Sequence, residues 1–292
     1  MTAKKFKCAV IQLHPKPMQM EANFQRAKTF IQQAATEGAE LAVLPEYCLT
    51  SWVPKEPHFA DAADDRTYLA KFCELAKECN INIVPGTFVE KHVSPDEENG
   101  KEMLYNVAYF ISNTGDVLGS YTKKNLWHTE RGLLEAAGHN PHSVIDTPLG
   151  KVGLLICWDL AFPEAFRALI TQGANIIIIP TFWTLKDLDV ATFSRYPDSE
   201  AIFLQSIVVS RAYENVAAII FSNAGGHEGS GFAGLSQITM PLVGPIAKAN
   251  GTDEQMVIGE IDLQLLEDAE DSYKIRADLA QPDYHYAVTS KI

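Results

Sequence analysis

Gly38-Ala39-Glu40-Leu41-Ala42-Val43-Leu44-Pro45 and Gly173-Ala174-Asn175-Ile176-Ile177-Ile178-Ile179-Pro180 follow one grammar: a Gly-Ala pair, a polar residue, four apolar residues and a proline. The glycine suits the end of a helix, and the apolar run suits a strand buried on both faces. In the first copy the strand over 41–44 is read as ending at Pro45. Before the first copy, Phe24, Ala27, Ile31, Ala34 and Ala35 recur at helical spacing, which predicts a helix over residues 23–37. Each helix in turn follows an apolar run, residues 6–13 in the first half and 152–157 in the second. Two strand–helix–strand units in the same order predict two similar α/β halves packed as one domain. Helix–glycine–apolar strand is also common in any α/β protein, so the repeat alone leaves that open. Residues just past such strands lie at their carboxyl ends, where open α/β sheets place their sites. Here they are Glu46 in one half and Cys157, Trp158 and Asp159 in the other.

Outward from these segments, a second helix is expected over 67–78 and a strand over 81–89. Runs at 104–111 and 117–121 flank Asn113-Thr114-Gly115-Asp116 and read as a hairpin, while the polar stretch 94–101 reads as a surface loop. At 292 residues, with 47% hydrophobic and 21% charged residues, the chain can bury a large core without disulfide or metal staples. The net charge of −13 disfavours nucleic acid and anionic membrane surfaces as partners. Apolar runs such as 176–179 are far too short to span a bilayer. The amino terminus leads through two lysines straight into a core strand and not into a signal-peptide apolar segment, so a cytoplasmic chain is expected. The sequon Asn250-Gly251-Thr252 is then expected to stay unmodified.

Five cysteines without a C-x-x-C pair argue against a disulfide framework or a four-thiolate zinc site. The eight histidines lack H-x-x-x-H or H-E-x-x-H spacing, so no metal is expected. Residues 229–234 formally fit G-x-G-x-x-G but lack the preceding strand and following helix of a dinucleotide loop. They read better as a loop of close backbone approach near the site, and no organic cofactor is expected.

Cys157 lies where an apolar strand over 152–157 gives way to a helix opened by Pro163-Glu164. On such a sharp connection a thiol can project from the sheet while the following N–H groups face an oxyanion. A free thiol is only slightly ionised at neutral pH, so a nucleophilic role needs a base or cation nearby. Glu46, placed between Leu44-Pro45 and Tyr47, is a carboxylate whose desolvation would raise its pKa into a useful range. Lys123 and Lys124 follow a strand; successive side chains point to opposite faces, so only one of them can enter a site. Cys48 is the rival thiol and reads as wall or core beside Glu46.

These segments resemble the nitrilase superfamily of carbon–nitrogen hydrolases, in an amidase- or carbamoylase-like branch. Leu44-Pro45-Glu46 is similar to the family's glutamate motif, Tyr121-Thr122-Lys123-Lys124-Asn125-Leu126 to its lysine motif, and Cys157-Trp158-Asp159-Leu160-Ala161-Phe162-Pro163-Glu164 to its cysteine motif. The resemblance extends from Phe6 to about Tyr284 through Arg211-Ala212-Tyr213-Glu214-Asn215, Ser222-Asn223, Gly234-Leu235-Ser236 and Arg276-Ala277-Asp278-Leu279. It implies a four-layer αββα sandwich, one hydrolase domain over 1–292 with a C-terminal extension from about 263, and a Glu46–Lys123–Cys157 triad. Glu130 would be an accessory acid, the alternative being a cap or a partner near Arg131, and the Trp158 N–H an oxyanion donor. Tyr47, Phe182, Trp183 and Asn223 are expected at the substrate pocket, Phe182 and Trp183 being equally suited to a core.

Departures from the family pattern carry information. Asn125 stands where many members have histidine, Thr122 where many have arginine, and Ala161 replaces an arginine common in several amidase branches. Asp159 stands where true nitrilases have glutamate. The implied activity is hydrolysis of a small linear amide or N-carbamoyl compound through a cysteine thioester, without cofactor. The alternatives are a nitrilase, a transferase passing the acyl group to an amine, or a silent binding protein on the same fold. A homodimer or larger even oligomer is expected, with apolar stripes at Ala165, Phe166, Leu169, Ile170 and along 201–209 as contact surfaces.

Overall fold

In the computed structural model, residues 5–93, 102–185 and 187–286 are described, so the loop expected at 94–101 lies outside the described residues. The first half runs through β1 (Lys5–Gln12), α1 (Met20–Thr36), β2 (Leu41–Val43), α2 (Thr67–Cys79), β3 (Asn82–Val84), β4 (Thr87–Val93), β5 (Glu102–Ile111) and β6 (Val117–Thr122). The second comprises β7 (Val144–Thr147), β8 (Gly150–Leu154), α3 (Pro163–Ile170), β9 (Ile176–Thr181), α4 (Val190–Arg195), α5 (Ser199–Asn215), β10 (Ala218–Asn223), β11 (Gln237–Met240) and β12 (Gly244–Lys248). Then β13 (Gln255–Asp262) crosses back to pair antiparallel with β1 along its whole length, and α6 (Gln264–Tyr273) and α7 (Ile275–Leu279) follow.

The repeated segments occupy matching places. β1, β2 and β3 pair in parallel within a seven-stranded sheet ordered β13-β1-β2-β3-β5-β4, with β6 also on β5; β8, β9 and β10 do the same in a six-stranded sheet ordered β12-β11-β10-β9-β8-β7. Alternation along the strands explains the layering. Cys8, Val10, Leu41 and Val43 join one core with Val152, Leu154, Ile176 and Ile178 of the other sheet, whereas Ala9, Ile11, Ala42 and Leu44 pack with Phe24, Ala27 and Ile31 of α1 and Phe72 and Leu75 of α2. α3 and α5 cover the second sheet from outside, giving helices, two sheets and helices. The sheets are also stitched by a polar contact, in which the Ser222 hydroxyl lies 3.1 Å from the Ile11 carbonyl and 3.3 Å from that of Val43.

Three expectations change. The run 81–89 is two strands, because Pro85-Gly86 turns the chain between them. Gly86 has φ +74°, and a Cβ there would sit 1.9 Å from the Pro45 carbonyl oxygen. The strand before Cys157 ends at Leu154, because the Ile156 N–H turns to the Asp159 carboxylate and leaves the ladder. Finally, Ala165, Phe166, Leu169 and Ile170 are not an outward stripe; all four are buried in the chain's own core. The carboxyl-terminal helices are tied to the second half by Arg276, whose guanidinium donates to the carbonyls of Ala174 and Val216 at 2.7 Å each.

Candidate active site

Glu46 leaves the end of β2 in a tight turn in which Tyr47 takes φ +51° and its N–H donates to the Thr87 hydroxyl. The Glu46 side chain is 1% exposed. One carboxylate oxygen accepts from Lys123 Nζ and Asn106 Nδ2, each at 2.8 Å; the other accepts from the Phe182 N–H at 2.9 Å. Burial pushes the Glu46 carboxyl up to about 7 despite the attraction of the Lys123 ammonium.

Lys123 follows β6 and is tied by its N–H to the Asn106 carbonyl of β5. Its ammonium bridges Glu46 and Glu130 at 2.8 Å each. Burial alone would lower its pKa, but the carboxylates of Glu46 and Glu130 outweigh that and hold it protonated. Glu130 is fixed from three sides, by Lys123, by the Tyr47 hydroxyl at 2.5 Å and by the Trp127 N–H at 2.7 Å. Lys124 points the other way, with Nζ on the Gly138 carbonyl. The strand reading left two lysines, and the structure brings only Lys123 to the carboxylates.

Cys157 stands at the entry to a short 3-10 turn with φ +46°, a left-handed conformation that costs a non-glycine residue roughly 1–2 kcal/mol. The strained corner sets its thiol in the same cavity wall as Glu46 and Lys123, whose charges act on it. Burial, then the Glu46 charge, push the Cys157 thiol up, with Lys123 opposing, so the resting group is a thiol and not a thiolate.

The corner is held by Asp159, fully buried behind it. One oxygen of its carboxylate accepts from the Asn125 N–H (3.0 Å) and side-chain amide (2.8 Å), the other from the Ile156 N–H and the Tyr121 hydroxyl (2.9 Å each). Burial raises the Asp159 carboxyl; the Ile156 N–H, the Asn125 side-chain amide, the Lys123 charge and the Tyr121 hydroxyl oppose the rise. Asp159 therefore fastens the lysine loop to the cysteine turn, and Asn125 serves that joint.

Glu46, Lys123, Glu130 and Cys157 share the wall of a cavity of about 180 Å3, below the roughly 300–1,000 Å3 of pockets for drug-sized ligands. Of the residues expected from sequence, Glu46, Tyr47, Lys123, Glu130, Cys157, Trp158, Phe182 and Trp183 all line it. Asn223 does not. It is fully buried, with its Oδ1 accepting from the Trp183 N–H and its Nδ2 donating to the carbonyls of Trp183 and Gly234, so it clamps the wall from behind. Cys48 faces the helix-side core, its thiol on the Pro85 carbonyl. The glycine-rich loop approaches the same wall, through the Ala233 N–H on the Trp183 carbonyl. Gly234 is needed there, since a Cβ would lie 2.7 Å from the Gly251 carbonyl oxygen.

Sequence reading missed Asn106, the Asp159 joint, and Trp52, Trp127 and Asp187 in the cavity wall. A signal existed for Asn106, a lone amide inside the apolar run 104–111; none marked Asp187. Among the described residues no three of His, Cys, Asp and Glu converge as a metal-ligand set.

The chain belongs to the carbon–nitrogen hydrolase family, whose profile matches residues 7–271. It is 30% identical to the omega-amidase NIT2 of Homo sapiens over 271 residues, covering 89% of this chain and 90% of the human protein. It is 28% identical to a protein named nitrilase from Pyrococcus abyssi, covering 89% and 91% of the two chains. The crystal structure of Saccharomyces cerevisiae Nit3, a nitrilase-superfamily member, superposes with a TM-score of 0.77 at 26% identity and 97% coverage of both chains. The protein is accordingly a carbon–nitrogen hydrolase of the nitrilase superfamily.

Proposed function

We propose that this hydrolase cleaves a small linear amide or N-carbamoyl compound through a thioester on Cys157. The observation that carries the reading is the bond of Lys123 to Glu46, a charged pair that lines a cavity of about 180 Å3 together with Cys157. As the sulfur attacks the carbonyl carbon, its proton passes to Glu46, and the Lys123 ammonium and Trp158 N–H stabilise the oxyanion. Collapse breaks the C–N bond, and Glu46 gives the proton to the departing ammonia or amine. Water then attacks the thioester as Glu46 takes its proton; the acid leaves and the thiol is restored. Glu130 holds Lys123 from its second side and takes no proton in this scheme.

A panel of amides, N-carbamoyl compounds and nitriles, assayed for released ammonia and for acid, tests the reading. Amide or carbamoyl turnover that Cys157→Ala abolishes supports it. Preference for nitriles would replace it with a nitrilase, and turnover retained by Cys157→Ala would refute the thioester.

The same proposal places the enzyme in the cytoplasm as a homodimer or larger even oligomer. Five free cysteines suit a reducing compartment. Among the described residues no helix is long and apolar enough to cross a membrane. With the α3 residues consumed internally, the contact falls to α5, where Ile202 is 63% exposed beside half-buried Phe203 and Val209. Light scattering at micromolar concentration tests it: a mass of twice 32.2 kDa or more is expected, and a mass near 32.2 kDa would reject it.

A further inference from the structure

Four side chains of the cavity wall, those of Trp127, Trp158, Trp183 and Asp187, take no part in the hydrolytic scheme. Trp127, Trp158 and Trp183 pack against one another, with ring centroids 4.5 Å apart for Trp127–Trp158, 5.4 Å for Trp158–Trp183 and 6.4 Å for Trp127–Trp183. All three line the cavity. Trp183 is held in orientation by its indole N–H on Glu200 at 2.6 Å. Beside them Asp187 also lines the cavity. Its two oxygens accept from the Thr184 N–H and hydroxyl at 3.1 and 2.8 Å, which fixes the carboxylate; among the described residues these bonds fill about half of its acceptor positions. Burial raises the Asp187 carboxyl, the Thr184 donors oppose that, and among the described residues only His128 adds a favourable charge.

Among the cavity's described lining residues Lys123 is the one basic group, and Glu46 and Glu130 already share its ammonium. A carboxylate set against this wall would meet indole rings and the Asp187 carboxylate, which repels an anion. An ammonium there would meet aromatic rings that can take a cation and a fixed carboxylate that attracts it.

Resting on the amidase reading above, we propose that the substrate is a small ω-ammonio amide, its primary ammonium held by Asp187 and the Trp127–Trp158–Trp183 wall while its amide faces Cys157. The site thereby selects for a cation and against an anion at the remote end.

Three amides of equal chain length isolate the effect: δ-aminovaleramide with an ammonium end, caproamide with a methyl end, and glutaramate with a carboxylate end. The expected order of kcat/KM is ammonium over methyl by at least about tenfold, the scale of a desolvated cation–π contact with a charge-assisted hydrogen bond, and over carboxylate by about a hundredfold. In Asp187→Asn the ammonium-to-methyl ratio should fall about tenfold, mainly through KM. Calorimetric binding of the same three compounds to Cys157→Ala reads the preference without turnover. Turnover favouring glutaramate or caproamide would overturn this inference and leave the amidase reading standing. No turnover of any of the three by wild type, with δ-aminovaleramide still the tightest binder to Cys157→Ala, would overturn the amide half of the reading above, leave N-carbamoyl compounds as its substrates, and support the charge selection. Equal or absent binding of all three to Cys157→Ala would overturn the inference on its own.

Discussion

Replacing Asp159 by asparagine tests whether the joint behind the nucleophile holds the site together. The asparagine keeps the shape but turns one oxygen into a donor. If its oxygen stays with the Asn125 N–H and amide, its NH2 faces the Ile156 N–H and the Tyr121 hydroxyl. The tyrosine can rotate to accept, but the Ile156 N–H cannot, so one buried donor is orphaned at a cost of about 1–3 kcal/mol. The remaining bonds lose their charge assistance, and against that the site no longer buries an anion, the influence that raises the Asp159 carboxyl. These two changes oppose each other, which leaves a net loss of about 1–3 kcal/mol in Asp159→Asn. Asp159→Ala strands both backbone donors and should cost about 2–6 kcal/mol, a sizeable part of a typical total of roughly 5–15 kcal/mol. Because the joint spans the segments carrying Lys123 and Cys157, a displacement of about 1 Å should lower kcat by about 100-fold in the asparagine variant. Urea unfolding and steady-state kinetics measure the two effects, and a cycle with Asn125→Ala should give a coupling of about 0.5–3 kcal/mol. Wild-type stability and kcat in Asp159→Asn, or strict additivity with Asn125→Ala, would refute the reasoning.

Four further outcomes follow from the geometry. With Glu46 raised to about 7, kcat/KM should climb with pH to a plateau through that value, and Glu46→Gln should abolish the limb along with most activity; a profile flat from pH 5 to 9 would count against Glu46 as the base. The same group acts oppositely on stability. The folded protein holds this proton more tightly than the unfolded chain, whose pKa is near 4.5, so its contribution is full below 4.5 and is lost as pH rises through about 7; urea midpoints of wild type and Glu46→Gln should therefore diverge with pH across that window. Lys123→Met should lower kcat by at least about 100-fold, the scale of losing an oxyanion partner, whereas Lys124→Met, removing a bond to the Gly138 carbonyl, should change it less than about threefold; the reverse order in initial-rate kinetics would shift the site by one residue. Gly86→Ala, whose Cβ would meet the Pro45 carbonyl oxygen at 1.9 Å, should displace the Glu46 turn and destabilise the protein by several kcal/mol on the scale of strained, overpacked sites; soluble Gly86→Ala protein with a wild-type urea midpoint would contradict the packing.

Much of this protein is legible in its sequence because the information is local. The Gly-Ala–apolar–Pro segments announce their strands by composition, and the order strand, helix, strand in both halves implies parallel pairing, as β1–β2 and β8–β9 show. Alternation explains why Lys123 and Lys124 part company, since facing direction along a strand has a period of two. Boundaries were less legible: β8 stops at Leu154 and not at Cys157, because the Asp159 side chain outcompetes the ladder for the Ile156 N–H. Nothing in the spacing of apolar residues reports such a side-chain competitor.

The composition, the strand–helix order and the Glu46, Lys123 and Cys157 motifs are properties of the sequence by itself, each set by neighbours within a few residues. Tertiary structure alone decided that Asn106 braces Glu46, that Asn125 serves Asp159 and not the cavity, that Asn223 stands behind Trp183, and that Asp187 shares a cavity wall with three tryptophans. Each of these pairs either spans two strands or joins loops far apart in the chain. Their contact depends on how the two sheets are pressed together by a core to which both halves contribute, and that long-range burial leaves no periodic trace in the residues it brings together.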